Sequence, residues 1–361
     1  MRFHLLALPN VQTTREYSLD GFCMATIRMA KLLKDLGHTV ILYASEENEA
    51  LCDELVTVIT KEEQTTILNG CDYQYAALFN SGYPLWSLAN TRAALEIGKR
   101  KQPRDFILTI GGTSQECIAN AHPDLMTVEY SIGYVSSFAK YRVYESHSWR
   151  AWSSGAQGQV DGRFFDDVIP LFFDEDEFEF RRNKDPFALY VGRLTQKKGV
   201  TIACQAAQAA GIPLKVIGHG DLSLVTHGAE YVGAVDMATR NEYMSRASML
   251  LCPTLYIEPF GSVAVEAQLC GTPVISSDWG GFVETVEHGK TGFRCNYLGE
   301  FAEAMRRAAS LDCKYIRKRA VSKYSLHNLK HAYQKYFDRL NLLWDQGWDT
   351  VKFTSAQNPT P

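Results

Sequence analysis

The chain has 361 residues, more than one hydrophobic core of ordinary size usually holds, so we expect two domains. Hydrophobic residues at 46% and charged residues at 22% are ordinary globular values, and without an apolar run of about 18 residues we expect a soluble, cytoplasmic chain. The formal net charge of −4 argues against a protein dedicated to duplex nucleic acid, and nine scattered cysteines without a C-x-x-C pair argue against a zinc site or a disulfide framework.

Short apolar runs alternate with longer helical patterns along the chain, which indicates parallel sheets covered by helices on both faces. The first helical pattern runs from Leu19 to Leu36, with Asp20 as its candidate N-cap and Gly37 as its end. It lies between apolar runs at 3–9 and 39–45, so the chain opens as a β-α-β unit. Further strands are predicted at 55–60, 75–80, 106–112, 167–173, 187–192, 214–218, 231–235, 248–254, 273–278 and 291–295.

About a dozen strands are too many for one comfortable doubly wound sheet. The polar, turn-rich residues 174–186 separate the two sets of strands. We therefore expect an N-terminal domain at 1–172 and a second domain at 173–325. A C-terminal helix at 326–348 and a tail at 349–361 complete the predicted organisation.

Three loops in the second half follow predicted strands and carry residues suited to a phosphate. Arg193 and Lys198 come just after the strand at 187–192, at the start of a helix, where cations and free amides bind anions. The next strand ends in a G-x-G turn that begins at Gly218, which lets a ligand approach the backbone but is weak as a motif. Taken alone, the first loop could equally be a solvated basic turn.

The third loop contains two carboxylates, Glu258 and Glu266, eight residues apart around a glycine turn. A helix begins near Ser262, so the amides after Gly261 are free donors for an anion. Adjacent carboxylates would repel that anion unless they bind neutral hydroxyls on either side of it. Ribose, diphosphate and sugar in a row satisfy this requirement, although a first-turn acid favoured by the helix dipole also explains Glu266.

These loops resemble the nucleotide-sugar signature of retaining glycosyltransferase family 4, which has the GT-B fold. The similarity covers most of residues 187–295, and the order and spacing of several motifs agree. The matching motifs are Gly192-Arg193, Lys198-Gly199, Glu258, Pro259-Phe260-Gly261, Glu266-Ala267, Gly271-Thr272-Pro273-Val274, Gly280-Gly281 with Glu284, and Gly289-Lys290-Thr291-Gly292-Phe293.

The resemblance implies an α/β fold of two Rossmann-like, doubly wound domains with a cleft between them and a C-terminal helix that crosses back to the first domain. It also implies that Glu266 binds the ribose and Glu258 the transferred sugar, while Arg193 and Lys198 hold the diphosphate. The implied donor-binding set is Glu266, Phe260, Gly261, Ser262, Val263, Gly218, Gly233 and Gly21.

The implied reaction moves a sugar from a nucleotide-sugar donor, expected to be UDP-linked, to an acceptor hydroxyl with retention of anomeric configuration. The resemblance implies no metal and no cofactor beyond the nucleotide sugar. Asp174-Glu175-Asp176 matches a D-x-D pattern, but it lies in the linker and is typical of a solvated acidic turn.

The N-terminal half departs from the family pattern. Asp20-Gly21 keeps one glycine of the usual pair, so Gly21 is a candidate for close approach to phosphate or acceptor. Many relatives have a histidine after the strand at 106–110 that contacts the sugar, where this chain has Gly111-Gly112. His122 is the candidate replacement and completes a catalytic set with Glu258, Arg193 and Lys198, although a surface turn histidine is the alternative.

The acceptor is expected on the N-terminal half, where residues 140–152 interleave aromatic and cationic side chains such as Arg142, His147 and Trp149. The alternative is an amphipathic helix that buries Tyr144, Trp149 and Trp152. A glycan, a lipid, a small molecule or a modified nucleic-acid base all remain open as acceptor.

Residues 305–340 hold ten Lys/Arg against two acids, which indicates either a solvated helical face or contact with a peripheral anionic surface. Within the same fold, a nucleotide-sugar epimerase or hydrolase would share the donor site. A Rossmann oxidoreductase is the least favoured function, because no strand is followed by a complete G-x-G-x-x-G.

Overall fold

A computed structural model of the chain describes residues 1–17, 20–71 and 80–350, with side chains described as far as residue 344. The predicted strand at 75–80, except for its last residue, and the tail beyond residue 350 lie outside the described residues. No helix in the described part of the chain is long and apolar enough to cross a membrane.

The first domain is built on a sheet of seven parallel strands in the order β3-β2-β1-β4-β5-β6-β7. The order reverses between β1 and β4, and such a reversal opens a crevice at the carboxyl ends of the strands. Its strands are β1 (Arg2–Leu6), β2 (Thr39–Ser45), β3 (Glu54–Ile59), β4 (Phe106–Thr109), β5 (Met126–Ile132), β6 (Tyr141–Tyr144) and β7 (Asp166–Val168), and its helices are α1 (Gly21–Asp35), α2 (Lys61–Leu68), α3 (Pro84–Arg100), α4 (Glu116–Ala121) and α5 (His147–Ala156).

The second domain repeats this plan with six parallel strands in the order β10-β9-β8-β11-β12-β13, and its order reverses between β8 and β11. Its strands are β8 (Asp185–Val191), β9 (Leu214–Ile217), β10 (Glu230–Gly233), β11 (Ala247–Cys252), β12 (Val274–Ser277) and β13 (Gly292–Cys295), and its helices are α6 (Val200–Ala210), α7 (Met237–Arg246), α8 (Ser262–Leu269), α9 (Phe282–Thr285), α10 (Leu298–Ala308) and α11 (Cys313–Tyr324).

The last helix, α12 (Leu326–Thr350), returns to the first domain. Phe337 packs against Phe3 on β1 and Phe106 on β4, with ring centroids 4.7 and 5.9 Å apart. The two segments that cross between the domains pair with each other, because the Phe173 amide donates to the Tyr324 carbonyl (2.9 Å) and the Leu326 amide donates to the Phe173 carbonyl (2.8 Å). Two hydrogen-bonded crossings therefore connect the domains.

The expected N-cap of the first helix is confirmed, since the Asp20 carboxylate accepts from the amides of Phe22 and Cys23 at 2.9 Å each. The prediction missed β5 and β6, because buried Glu129 and Arg142 interrupt their apolar patterns. The alternative of one helix that buries both Tyr144 and Trp149 was wrong, because Tyr144 lies in β6 and the helix begins only at His147.

Candidate functional site

A cleft of about 490 Å³ lies between the carboxyl ends of the two sheets and is lined by residues of both domains. In parallel sheets this edge presents loop amides and helix N-termini to a ligand. Most of the residues predicted for the donor site line the cleft. They are Gly21, Arg193, Lys198, Gly218, Glu258, Phe260, Gly261, Ser262, Val263 and Glu266.

The loop before α8 depends on a glycine. Gly261 has a φ of +82°, in the left-handed region, and a Cβ at this position would lie 2.5 Å from the Phe282 ring. It forms the N-cap of α8, so Ser262 and Val263 are the first residues of that helix and line the cleft. The first amides of a helix lack intrahelical partners, and this end of α8 can therefore donate to an anion.

The loops after β8 and β9 touch each other. A Cβ on Gly218 would lie 1.9 Å from the Gly192 carbonyl oxygen, so only glycine fits this approach. The Tyr190 hydroxyl donates to the Arg193 carbonyl oxygen at 3.0 Å and fixes the backbone next to the cleft. Arg193 is thus held at the edge of the site, near Asp20 of the first domain. Burial raises the pKa of Asp20, and the positive charge of Arg193 opposes part of that rise.

Lys198 and Glu258 form an ion pair, with Nζ 2.8 Å from Oε2. Burial lowers the pKa of Lys198, but the Glu258 carboxylate and Tyr256 outweigh it, and the net pKa of this ammonium is raised. The Tyr256 ring centre lies 5.0 Å from Nζ, and burial followed by the Glu258 charge raises the pKa of Tyr256 to about 12. The lysine is therefore a permanent cation at the end of the cleft that holds Glu258.

Glu266 is held by an arginine that the sequence did not reveal. Arg240 on α7 lies 3.3 Å from the Glu266 carboxylate, and both side chains are buried. Arg28 on α1 faces the same region from the first domain, with its guanidinium 4.4 Å from the Phe173 ring centre. Burial lowers the pKa of Arg28, and the charges of Glu266 and Glu177 partly restore it. This end of the cleft therefore combines a fixed carboxylate with two arginines.

Glu145, the residue directly after β6, also lines the cleft and was not predicted. Burial raises its pKa to about 8, with a further contribution from the charge of Glu258 across the cleft. Glu145 could have been predicted if β6 had been recognised in the sequence. The residue after the carboxyl end of a parallel strand lies at the ligand-binding edge of the sheet.

Three predicted site residues lie away from the cleft. His122, at the end of α4, is buried with its Nε2 2.9 Å from the Ala94 carbonyl oxygen on α3, so it does not face the site. Arg142 is buried in the first domain and donates to the carbonyls of Ala139 and Ser137 at 2.8 and 3.2 Å. His147 begins α5, and its backbone amide donates to Glu284 at 3.1 Å, outside the cleft lining.

Two further predicted site residues, Trp149 and Gly233, lie at the cleft or beside it. Trp149 is buried in the cleft wall and stacks on Trp152 with ring centroids 4.5 Å apart. Gly233 ends β10 beside Ala234 and Val235, which line the cleft in its place.

The basic stretch at 305–340 divides between structural and exposed side chains. Arg317 and Arg319 donate to backbone carbonyls of the second domain, and Arg319 also pairs with Glu287 at 3.1 Å. The exposed lysines are Lys314, Lys318, Lys323 and Lys335. Contact of this face with an anionic surface stays a prediction.

The linker acids are structural as well, since the Asp174 carboxylate accepts from the Asp176 amide at 3.3 Å. Among the described residues, no three His, Cys, Asp or Glu side chains are grouped to hold a metal ion.

Two Rossmann-like domains that enclose a cleft, with the last helix returning to the first, define the GT-B architecture of glycosyltransferases. Residues 172–324 match the family described as "Glycosyl transferases group 1". The fold and this match support a GT-B glycosyltransferase.

Among curated proteins, an uncharacterized glycosyltransferase of Methanocaldococcus jannaschii is 30% identical over 152 residues, which are 36% of this chain and 39% of that protein. A glycogen synthase of Mycobacterium tuberculosis is 30% identical over 195 residues, 45% of this chain and 47% of that protein. The chain thus spans less than half the length of these curated relatives.

Solved structures resemble the chain over nearly its whole length. AviGT4, a glycosyltransferase involved in avilamycin A biosynthesis, has a TM-score of 0.71 at 17% identity and covers 95% of this chain and 98% of its own. HepE of Anabaena in complex with UDP-glucose has a TM-score of 0.63 at 17% identity and covers 95% of this chain and all (100%) of its own. At these identities the likeness establishes the shared fold.

Proposed function

We propose that this protein is a retaining glycosyltransferase of family 4 that transfers a sugar from a UDP-linked donor to an acceptor hydroxyl without a metal. The observation that carries the proposal is the arrangement of Glu258 and Glu266 on either side of the α8 N-terminus, in one cleft with Arg193 and Lys198. Two carboxylates that flank an anion site suit a ligand with hydroxyl groups on both sides of a diphosphate.

In this assignment Glu266 accepts hydrogen bonds from the ribose hydroxyls, and its pairing with Arg240 at 3.3 Å fixes the carboxylate. The amides at the start of α8 and the guanidinium of Arg193 receive the diphosphate. UDP is the proposed nucleotide because the structural neighbour HepE was solved with UDP and with UDP-glucose.

At the other end of the cleft, Glu258 binds hydroxyls of the transferred sugar, and Lys198 holds both Glu258 and the diphosphate. As the glycosidic bond loosens, negative charge grows on the leaving diphosphate. Cations already in place stabilise that charge without reorganisation, and loss of one such donor commonly costs on the order of 10²–10³ in rate. Retention and the absence of a metal requirement are supported by the family resemblance.

The acceptor is proposed to enter along the wall formed by the first domain, where Trp149 offers an aromatic surface beside the sugar end. Aromatic rings suit stacking on sugar faces or on a base, so a glycan is proposed first and a modified base second.

A thermal-shift panel of nucleotide sugars tests the donor class, because a ligand at 100 times its Kd stabilises the folded state by about 2.7 kcal/mol. Glu266→Ala and Lys198→Ala should each abolish or greatly weaken nucleotide-sugar binding and turnover, while Lys197→Ala, an exposed neighbour, should not. Donor turnover should continue in EDTA, and NMR of the product should show the anomeric configuration of the donor. Unchanged donor hydrolysis in both site variants would overturn the assignment.

A further inference from the structure

Glu145 is a buried acidic residue in the cleft to which the proposed function assigns no role. Its side chain is only 7% exposed, and it lines the cleft. Its carboxyl packs against backbone, since a Cβ on Gly133 would lie 2.9 Å from Oε2. Burial and the Glu258 charge act on its carboxyl, and no hydrogen bond joins that carboxyl to another described residue, so it is available to a ligand in the cleft.

The position of Glu145 places it at the sugar end of the cleft. The Glu258 charge acts on it from the second domain. The next residue, Ser146, donates its hydroxyl to the Pro259 carbonyl oxygen at 2.6 Å, so the two segments are in direct contact. Glu145 therefore stands on the wall opposite the Glu258 loop.

Among the described residues of the first domain, Glu145 is the ionisable side chain that lines this end of the cleft. Of the lining residues from that domain, the ionisable ones are Arg28 and Glu145, and Arg28 lies at the Glu266 end. After β4, a Cβ on Gly111 would lie 2.8 Å from the Trp86 ring, and one on Gly112 would lie 2.8 Å from the Ser136 hydroxyl. Neither glycine position has room for a side chain that reaches the sugar.

We propose that Glu145 and Glu258 hold the transferred sugar from opposite walls of the cleft, with the Glu145 carboxyl hydrogen-bonded to a sugar hydroxyl. This inference rests on the proposed function, since it assigns the contact that the first domain makes with the same donor. Glu145 would then contribute to the affinity for a nucleotide sugar and not to the affinity for the nucleotide alone.

The protonation state of Glu145 fits this role. Burial raises its pKa to about 8, and the Glu258 charge adds to the effect, so the carboxyl is protonated near neutral pH and can donate to a hydroxyl oxygen. The Tyr333 hydroxyl on α12, whose pKa is raised by burial, also acts on it, while Glu258 is itself paired with Lys198. Ionisation of Glu145 would place two carboxylates on one sugar and remove the donated hydrogen bond.

The test compares the affinities of UDP-glucose and UDP by calorimetry for wild type, Glu145→Ala and Glu145→Gln. Glu145→Ala should weaken UDP-glucose by about tenfold and leave UDP within about twofold, because one hydrogen bond to the sugar is lost. Glu145→Gln should keep near wild-type affinity at pH 7, because an amide can also donate. Glu129→Gln serves as control, since Glu129 is buried in the first domain and bonded to the amides of Phe138 and Ala139.

A pH series distinguishes a contact with the sugar from a purely structural role of Glu145, because only the contact makes the affinity for UDP-glucose relative to UDP depend on pH. Wild-type affinity for UDP-glucose relative to UDP should be flat below about pH 8 and fall by up to about tenfold per pH unit above it. The ratio in Glu145→Gln should stay flat. If Glu145→Ala fails to fold, this comparison of wild type with Glu145→Gln decides the question.

The inference is overturned if Glu145→Ala weakens UDP and UDP-glucose equally, if it weakens neither, or if wild type and Glu145→Gln share one pH profile. Each of these results leaves the proposed function standing when wild type binds UDP-glucose. If wild type binds neither UDP nor UDP-glucose, the proposed function and this inference fail together.

Discussion

The single residue Arg240 fixes the Glu266 carboxylate, which we propose binds the ribose of the donor. Arg240→Leu removes the guanidinium 3.3 Å from the Glu266 carboxylate and leaves that charge buried without its partner. We expect UDP affinity to fall by about tenfold and unfolding free energy to fall by about 3 kcal/mol, since breaking a buried pair strands a charge. Calorimetry with UDP and denaturant titration measure the two effects.

Arg246→Leu is the matched control, because Arg246 ends the same helix and pairs with Asp185 and Glu242 at a more exposed position. It should leave UDP affinity unchanged and cost about 0–1 kcal/mol of stability. Equal UDP affinity in the Arg240 and Arg246 variants would show that Arg240 does not position Glu266.

Glu145 should also set a pH dependence of stability. Its pKa is about 8 in the folded protein and near the ordinary 4.5 in the unfolded chain, so the folded state binds the extra proton between these values. The stabilisation from that proton is complete below about pH 4.5 and is lost as pH rises through about 8. Glu145→Gln should therefore gain a few degrees in Tm over wild type as pH increases from about 5 to about 8.5, measured by scanning calorimetry. A constant Tm difference across the series would contradict this assignment of the proton.

Most of the residues that line the cleft in the second domain could be predicted from sequence because they belong to short local motifs. Glu258, Gly261 and Glu266 lie within one loop and one helix, so their spacing in sequence largely determines their relative positions. Arg240 and Glu145 come from other elements, and only tertiary packing brings them to the cleft. His122 lies away from the cleft for the same reason, since proximity in sequence to Gly111 does not determine which way a buried helix end faces.

At the scale of elements, the start of α8 depends on Gly261. Gly261→Ala would place a Cβ 2.5 Å from the Phe282 ring at a φ of +82°, so both strain and a clash displace the loop. We expect a loss of about 2–3 kcal/mol in unfolding free energy and at least tenfold weaker UDP binding. Chemical denaturation and calorimetry provide the measurements.

Gly289→Ala separates strain from contact, because Gly289 has a φ of +78° with open space around its Cβ position. It should cost about 1 kcal/mol, from backbone strain alone, and leave UDP binding intact. If both variants lost the same stability and neither lost affinity, the α8 N-terminus would not be the anion site.

Most strands with largely apolar patterns were predicted, and the two strands that bury Glu129 and Arg142 were not. The runs that became β2, β8 and β11 are largely apolar, and β1 was predicted although it contains the buried His4. In β5, Glu129 is satisfied by the amides of Phe138 and Ala139, a tertiary contact that no local pattern shows. The prediction therefore found β1–β4 and β7 of the first sheet. It missed β5 and β6, and Glu145 directly follows β6.

For the whole molecule, the relative position of the domains depends on contacts beside the cleft. The Glu284 carboxylate on α9 accepts from the amides of His147 and Ser148 at 3.1 and 2.8 Å and from the Ser148 hydroxyl at 2.8 Å. It thus caps α5 of the first domain from the second domain. This cap lies next to the segment that carries Glu145, so it connects the second domain to the part of the cleft that Glu145 lines.

Glu284→Ala should loosen the closed arrangement. Loss of a charged cap costs about 1–2 kcal/mol, which raises the ratio of open to closed molecules by about tenfold. We expect a larger radius of gyration by small-angle scattering in the free protein and a several-fold weaker UDP-glucose affinity, with compactness restored at saturating ligand. Glu287→Ala is the control, because Glu287 pairs with Lys290 and Arg319 within the second domain. An unchanged radius of gyration together with wild-type affinity in Glu284→Ala would mean that the two crossing segments alone set the domain arrangement.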